Sequence, residues 1–244
     1  MAKTLQTPES IFAALTADYQ NIFGADLESI ILYGSAARGE YVAGRSDINF
    51  MIVLSDAGLE KLACTMPIVA TWRKSRVSTP LFLSKNYIIM SLDTYPIEFL
   101  TMKAAYKVVF GQDMLKDLIF EKSFVRLQCE RELKGKLLHL RQCFVETEGS
   151  TKKISALISL SLPAFLSLFQ SILFLKDRPP VANHSGLLAE MTSETGIDMQ
   201  VFTELAAVRN GTKKLKGAEA LKLMNAYIGE IKTLANYIDA FQTT

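Results

Sequence analysis

The spacing of apolar residues changes near residue 120, and the change divides the chain into two kinds of structure. Before it, short apolar runs alternate with breakers. Ser29 to Tyr33 (SIILY) is apolar and stops at Gly34, which predicts a buried strand. From Asp47 to Leu54 the pattern alternates: Asp47, Asn49, Met51 and Val53 share one face, while Ile48, Phe50, Ile52 and Leu54 share the other. That strand carries its polar groups at its start. Thr79 to Leu83 and Tyr95 to Met102 read as further strands. Helices are predicted from Thr7-Pro8-Glu9 to Gly24, from about Ala57 to Arg76 with an interruption or kink near Pro67, and from Asn86 to Leu92.

Beyond Phe120 only helical periodicity remains, over residues 122–148, 152–176, 183–195, 198–210 and 217–241. The breaks fall at Gly149-Ser150, Pro179-Pro180, Gly196 and Gly211 to Gly217. The expected architecture is an α/β (α+β) domain over 1–118 followed by an all-α helical bundle over 119–244. One predicted helix is apolar enough to raise a membrane span. Ile154 to Leu175 carries no charged residue, but Ser155, Ser159, Pro163, Ser167, Gln170 and Ser171 gather on one side of the helical wheel. A lipid-facing helix has no use for such a stripe, so this segment is assigned to the bundle core and no membrane partner is expected.

Charge narrows the partners. Up to residue 120 there are 11 Lys+Arg against 12 Asp+Glu, and after it 16 against 13, so neither part has the basic excess that a nucleic-acid surface requires. No nucleic-acid partner is expected. Cys64, Cys129 and Cys143 are odd in number and lack C-x-x-C spacing, as free thiols in a reducing cytoplasm would be. His139 and His184 stand too far apart in sequence to suggest a His/Cys metal cage, and both read as ordinary surface or packing residues. The opening MAKTLQTPES has no apolar stretch, so no cleaved leader is expected, and the localisation read from these features is cytoplasmic.

The informative segment is LYGSAARGEYVAGRSDINFMIVL, Leu32 to Leu54. A buried strand delivers Gly34-Ser35 to a glycine-bearing turn, and a second strand then opens with Asp47 and Asn49 on one face. Backbone N–H groups and a small hydroxyl at such a turn approach triphosphate oxygens, while oxygen ligands on the neighbouring strand hold Mg²⁺. The Gly-Ser pair alone is uninformative, since Gly149-Ser150 repeats it between helices. The order strand, turn, spacer, acid-bearing strand carries the weight.

These residues resemble the signature of the DNA polymerase beta-like nucleotidyltransferase superfamily: a strand, Gly-Ser, a spacer, two acids at i and i+2, and a third acid on a later strand. The small bacterial branch that includes the aminoglycoside nucleotidyltransferases, with a helical bundle after the catalytic domain, is the most similar. The resemblance implies a nucleotidyltransferase-like domain with a mixed sheet and transfer of NMP from an NTP to an acceptor hydroxyl. It makes Gly34 and Ser35 the triphosphate turn, with Arg38 and Ser46 flanking it and touching phosphate oxygens. It makes Asp47, Asn49 and Glu98, the last in YPIEFL, the catalytic and Mg²⁺-binding set. Asp93 is the competitor for the third position, although Leu92-Asp93-Thr94 also reads as a turn.

Asn49 departs from the pattern, because the family has an acid there. An amide oxygen ligates Mg²⁺ but brings no charge, so metal affinity should fall. This leaves two readings open: a transferase with an amide ligand, or a non-catalytic nucleotide-binding module with a regulatory or antitoxin-like role. The implied partners are a nucleoside triphosphate and a small-molecule or protein acceptor, and a homodimer is compatible with both readings. Arg131, Lys134, Lys136, His139 and Arg141 form a basic set on one predicted helix, but Glu130 and Glu132 interleave with it and no role is assigned.

Overall fold

A computed structural model describes residues 7–181, 183–195 and 199–242. The opening residues, the expected break at Gly196 and the side chain of His184 lie outside the described residues. Contacts divide the chain into two compact units, Met1–Leu92 with Met102–Ile119, and Asp93–Thr101 with Phe120–Thr244.

The first unit is built on four strands, β1 (Leu27–Tyr33), β2 (Asn49–Leu54), β3 (Leu81–Leu83) and β4 (Tyr106–Gly111), ordered β3-β2-β1-β4. The sheet is mixed. β1 runs antiparallel to β2 and β4, whereas β2 and β3 are parallel. The run SIILY forms β1, and the alternating run forms β2, as their patterns predict. Helix α1 (Phe12–Phe23) follows a 3₁₀ turn at Pro8–Ile11 and presents Leu15, Tyr19 and Phe23 to one sheet face. There they meet Ile30 and Leu32 of β1 and Phe50, Ile52 and Leu54 of β2. Ile31, Met51 and Val53, of opposite parity, are fully buried as well, so the sheet has no wet face at its centre. Thr7 precedes the 3₁₀ turn without capping it through its side chain. Gly24, with φ of +55°, ends α1 where a stop was expected.

The helical stretch expected to be interrupted or kinked near Pro67 is interrupted: it forms two short helices, α2 (Asp56–Leu59) and α3 (Met66–Arg73), with a 3₁₀ turn between them. Pro67 sits in the first turn of α3, where its missing N–H costs nothing, so it opens a helix rather than bending one. Helix α4 (Lys85–Met90) is capped by Ser84, whose hydroxyl accepts from Tyr87 N.

One expectation fails. The segment around Glu98, read as a strand from Tyr95 to Met102, is helix α5 (Pro96–Ala104). Pro96 at its start and Glu98 in its first turn both favour a helix N-terminus, and Ile97 and Leu100, three apart, enter the core of the second unit. The strand in this region lies later, as β4 along one edge of the sheet.

The second unit contains α6 (Lys122–Glu146), α7 (Thr151–Leu175), α8 (His184–Thr195), α9 (Gln200–Arg209) and α10 (Gly217–Asp239). All five fall where the helical spacing puts them. Among the described residues α7 is the helix long and apolar enough to cross a membrane, and 56% of its most apolar window is buried inside the fold. Its serines lie where the wheel put them. Ser155, Ser159, Ser167 and Ser171 donate back to the carbonyls of Thr151, Ser155, Pro163 and Ser167, so these hydroxyls are satisfied within the helix. Around α7, Phe165, Phe169, Phe202 and Tyr227 form edge-to-face pairs, with Phe169 and Phe202 centroids 4.8 Å apart.

Candidate active site

In the first unit the candidate residues Gly34, Ser35, Asp47 and Asn49 gather at one end of the β1–β2 pair. Tyr33, the last residue of β1, pairs with Asn49, the first of β2. Gly34 then turns the chain with φ of +79°, and its carbonyl accepts from Ala37 N and Arg38 N at 3.1 Å. A Cβ at residue 34 would lie 3.0 Å from Asn49 Nδ2. Glycine is therefore favoured twice, by the left-handed backbone and by the Asn49 amide that leaves a Cβ little room. The turn and Asn49 are direct neighbours. Ser35 is the next residue of this one-turn helix, and its carbonyl accepts from Glu40 N at 2.9 Å.

Asp47 lies just ahead of β2, beside Ile48, which bridges in parallel to Val77. That bridge sets Arg76 next to Asp47. Arg76 Nη2 sits 2.9 Å from Asp47 Oδ1 and donates to Arg45 O at 2.7 Å, while Nε donates to Ser46 O at 3.3 Å. Arg76 itself has φ of +61°, a conformation few non-glycine residues adopt. One side chain thus fixes residues 45, 46 and 47. The two proposed phosphate contacts are both engaged locally: Arg38 Nε pairs with Glu40 at 3.1 Å, and Ser46 Oγ accepts from Val42 N at 3.0 Å.

Glu98 belongs to the second unit and stands on the first turn of α5, exposed. Gln128 of α6 holds it. Ile97 N donates to Gln128 Oε1 at 3.0 Å, and Gln128 Nε2 donates to Glu98 Oε2 at 2.8 Å. Because a backbone N–H requires the oxygen, the amide has one orientation, and its nitrogen must face the carboxylate. Asp93, the alternative acid, accepts from Thr94 Oγ1 in a turn. In the basic set on α6, Lys134 is tied to Glu130 and Asp239 and Lys136 to Glu132.

Neither Arg76 nor Gln128 was marked from sequence. Arg76 gave no local signal, since its partners are 29 to 31 positions away. Gln128 gave a faint one, an uncharged polar residue on the apolar stripe of Val125, Cys129 and Leu133.

The donors suit one hard cation of a particular kind. Among the described residues no three His, Cys, Asp or Glu side chains cluster as a metal cage. Asp47 offers a carboxylate, and Asn49, whose amide nitrogen faces the glycine turn, offers its amide oxygen. Mg²⁺ is commonly held in this way, by one or two protein oxygens with water and substrate phosphates completing the shell. The residues fit a cation that arrives with a nucleotide.

No protein-family model matches the chain, and no curated protein matches it. Among solved structures, spectinomycin adenyltransferase AAD(9) from Enterococcus faecialis, crystallised with ATP and spectinomycin, aligns over 93% of this chain and 100% of its own, at a TM-score of 0.52 and 11% identity. The chain has the nucleotidyltransferase fold. At 11% identity the likeness is one of fold.

Proposed function

We propose that this protein binds a nucleoside triphosphate at the Gly34-Ser35 turn and transfers its nucleotidyl group to an acceptor hydroxyl. The observation that carries the reading is the contact of the left-handed Gly34 with Asn49, two residues after Asp47, in a chain of nucleotidyltransferase fold. The acceptor oxygen bonds to the α-phosphorus, the bridging bond to the β-phosphate breaks, and pyrophosphate leaves as the hydroxyl proton passes to water or base. Asp47 and Asn49 would hold Mg²⁺, and the ion would supply charge neutralisation on the phosphates. The backbone of the Gly34 turn binds and orients the triphosphate. Arg38 and Ser46 add contacts to its oxygens.

ATP and spectinomycin, found in the similar structure, are the first nucleotide and acceptor to try. Incubating the protein with Mg²⁺, each NTP and a panel of hydroxyl acceptors should release pyrophosphate, and Asp47→Ala should abolish it. Wild-type release by that variant sinks the assignment.

A second reading, a nucleotide-binding module without turnover, is favoured by Asn49 and by the ion pair that already engages Asp47. Asn49→Asp separates the two. Under the second reading it confers transfer that the natural protein lacks; under the first, the natural protein already transfers. Both readings require nucleotide to stabilise the fold, by about 2.7 kcal/mol at 100 times its dissociation constant.

A further inference from the structure

Asp47 is the one carboxylate proposed as a cation ligand in the first unit, and in the folded chain it is paired. Its partner, Arg76, is anchored independently of it. Arg76 Nη2 and Nε bond to the carbonyls of Arg45 and Ser46, and these two bonds need nothing from the Asp47 side chain. The backbone at Arg76 is fixed as well, because Ile48 N donates to Arg76 O at 2.9 Å and Ser78 N to Ile48 O at 3.0 Å on either side of the Ile48–Val77 bridge. The guanidinium therefore stays beside residue 47 whether or not the carboxylate holds it. Its Nη1 makes no hydrogen bond to any described residue.

Both partners are substantially open to water, Arg76 at 40% and Asp47 at 57% of their side-chain surfaces. An exposed pair of this kind is weak, so the carboxylate is released at little cost. A bare divalent cation arriving at Asp47 meets a fixed positive charge and finds an uncharged amide at residue 49. A metal nucleotide meets the same arginine through its phosphates, to which a guanidinium offers paired N–H donors.

We propose that Arg76 admits the cation only with its nucleotide: it pairs with Asp47 in the resting site and, without leaving its place, offers its uncommitted Nη1 to triphosphate oxygens when the metal nucleotide enters. This rests on the reading of Asp47 as a cation ligand. The exchange makes the site discriminate against free Mg²⁺. It also gives Asn49 a place, since an acid there would restore the charge that lets a bare ion bind.

The test is isothermal titration of the full chain with Mn²⁺ alone and, separately, with Mg-ATP. Arg76→Gln should tighten Mn²⁺ by about fivefold, as removal of a neighbouring like charge in partly screened water implies. The same variant should weaken Mg-ATP by about fivefold. Arg76→Lys, which keeps the charge, should leave Mn²⁺ within about twofold of the natural protein. Opposite signs are the signature. An arginine that merely holds the loop together would lower both affinities on removal, and that result, or an unchanged Mn²⁺ affinity, overturns the proposal. Asp47→Asn should abolish Mn²⁺ binding; if it does not, the cation lies elsewhere and the reading beneath the inference fails, an outcome distinct from a failure of Arg76 alone.

Discussion

At the scale of single residues, two glycines separate function from folding. Gly111 has φ of +75°, and a Cβ there would stand 2.0 Å from Glu28 O, a backbone atom that cannot retreat without breaking the β1–β4 edge. Gly34 is strained in the same sense, but its Cβ would meet the end of a side chain, Asn49 Nδ2 at 3.0 Å. Gly34→Ala should therefore fold with a loss of about 1–2 kcal/mol from the left-handed backbone and should displace the Asn49 amide. A nucleotide-dependent thermal shift is the readout. Its loss in Gly34→Ala, with the fold retained, is expected; an undiminished shift means that the turn does not receive the triphosphate. Gly111→Ala should not yield folded protein, which circular dichroism would show directly.

At the scale of elements, α5 depends on α6 through Gln128. The side chain is 4% exposed and satisfies both Ile97 N, in the first turn of α5, and the Glu98 carboxylate. Gln128→Leu leaves a helix N–H without an acceptor and a carboxylate without its donor, at a cost of about 1–3 kcal/mol. A lower urea midpoint should report it, and an unchanged midpoint would mean that water replaces both bonds. This element also shows where sequence reading stops. The five bundle helices were legible because each is periodic and Gly or Pro marks the breaks between them. The segment PIEFL is too short for that, and its apolar and polar residues fit a period of two as readily as the turn of a helix. The decision between them was tertiary, made by Ile97 and Leu100 entering the helical core. The Gly34 to Asn49 part of the site was legible because a strand, a turn and a strand are consecutive. Arg76 was not, because the Ile48–Val77 bridge that brings it near exists only after folding.

At the scale of the whole molecule, buried acids of high pKa set a limit in alkali. Burial pushes the Tyr19 hydroxyl, the Tyr106 hydroxyl and the Cys129 thiol up to about 12, with Asp18, Asp113 and Glu132 adding to the effect in turn, and burial raises Tyr227 as well. In the unfolded chain the thiol ionises near pH 8.5 and the phenols near 10. A raised folded-state pKa means that the contribution to stability is whole below the unfolded value and is lost as pH climbs toward the folded one. The urea midpoint should therefore fall steadily between about pH 9 and 12, first through Cys129 and then through the tyrosines. Cys129→Ala should remove the earliest part of that fall, and a flat profile to pH 10 in the natural protein would contradict the assignment. Cys64, which is exposed, should react at once with a thiol reagent, whereas Cys129 should wait for unfolding.

The segment Asp93–Thr101 packs with helices whose residues begin only at Phe120, and between the two the chain supplies Met102–Ile119 to the other unit. A ribosome releasing this polypeptide in order would present α5 well before α6 exists to receive Ile97 and Leu100. Those apolar groups must wait in solvent or in a chaperone until the later helices emerge. A gene fragment ending at 118 encodes a helix without its cradle, and one beginning at 119 a bundle lacking a piece of its centre. Halves made separately should aggregate and, mixed before collapse, rescue one another.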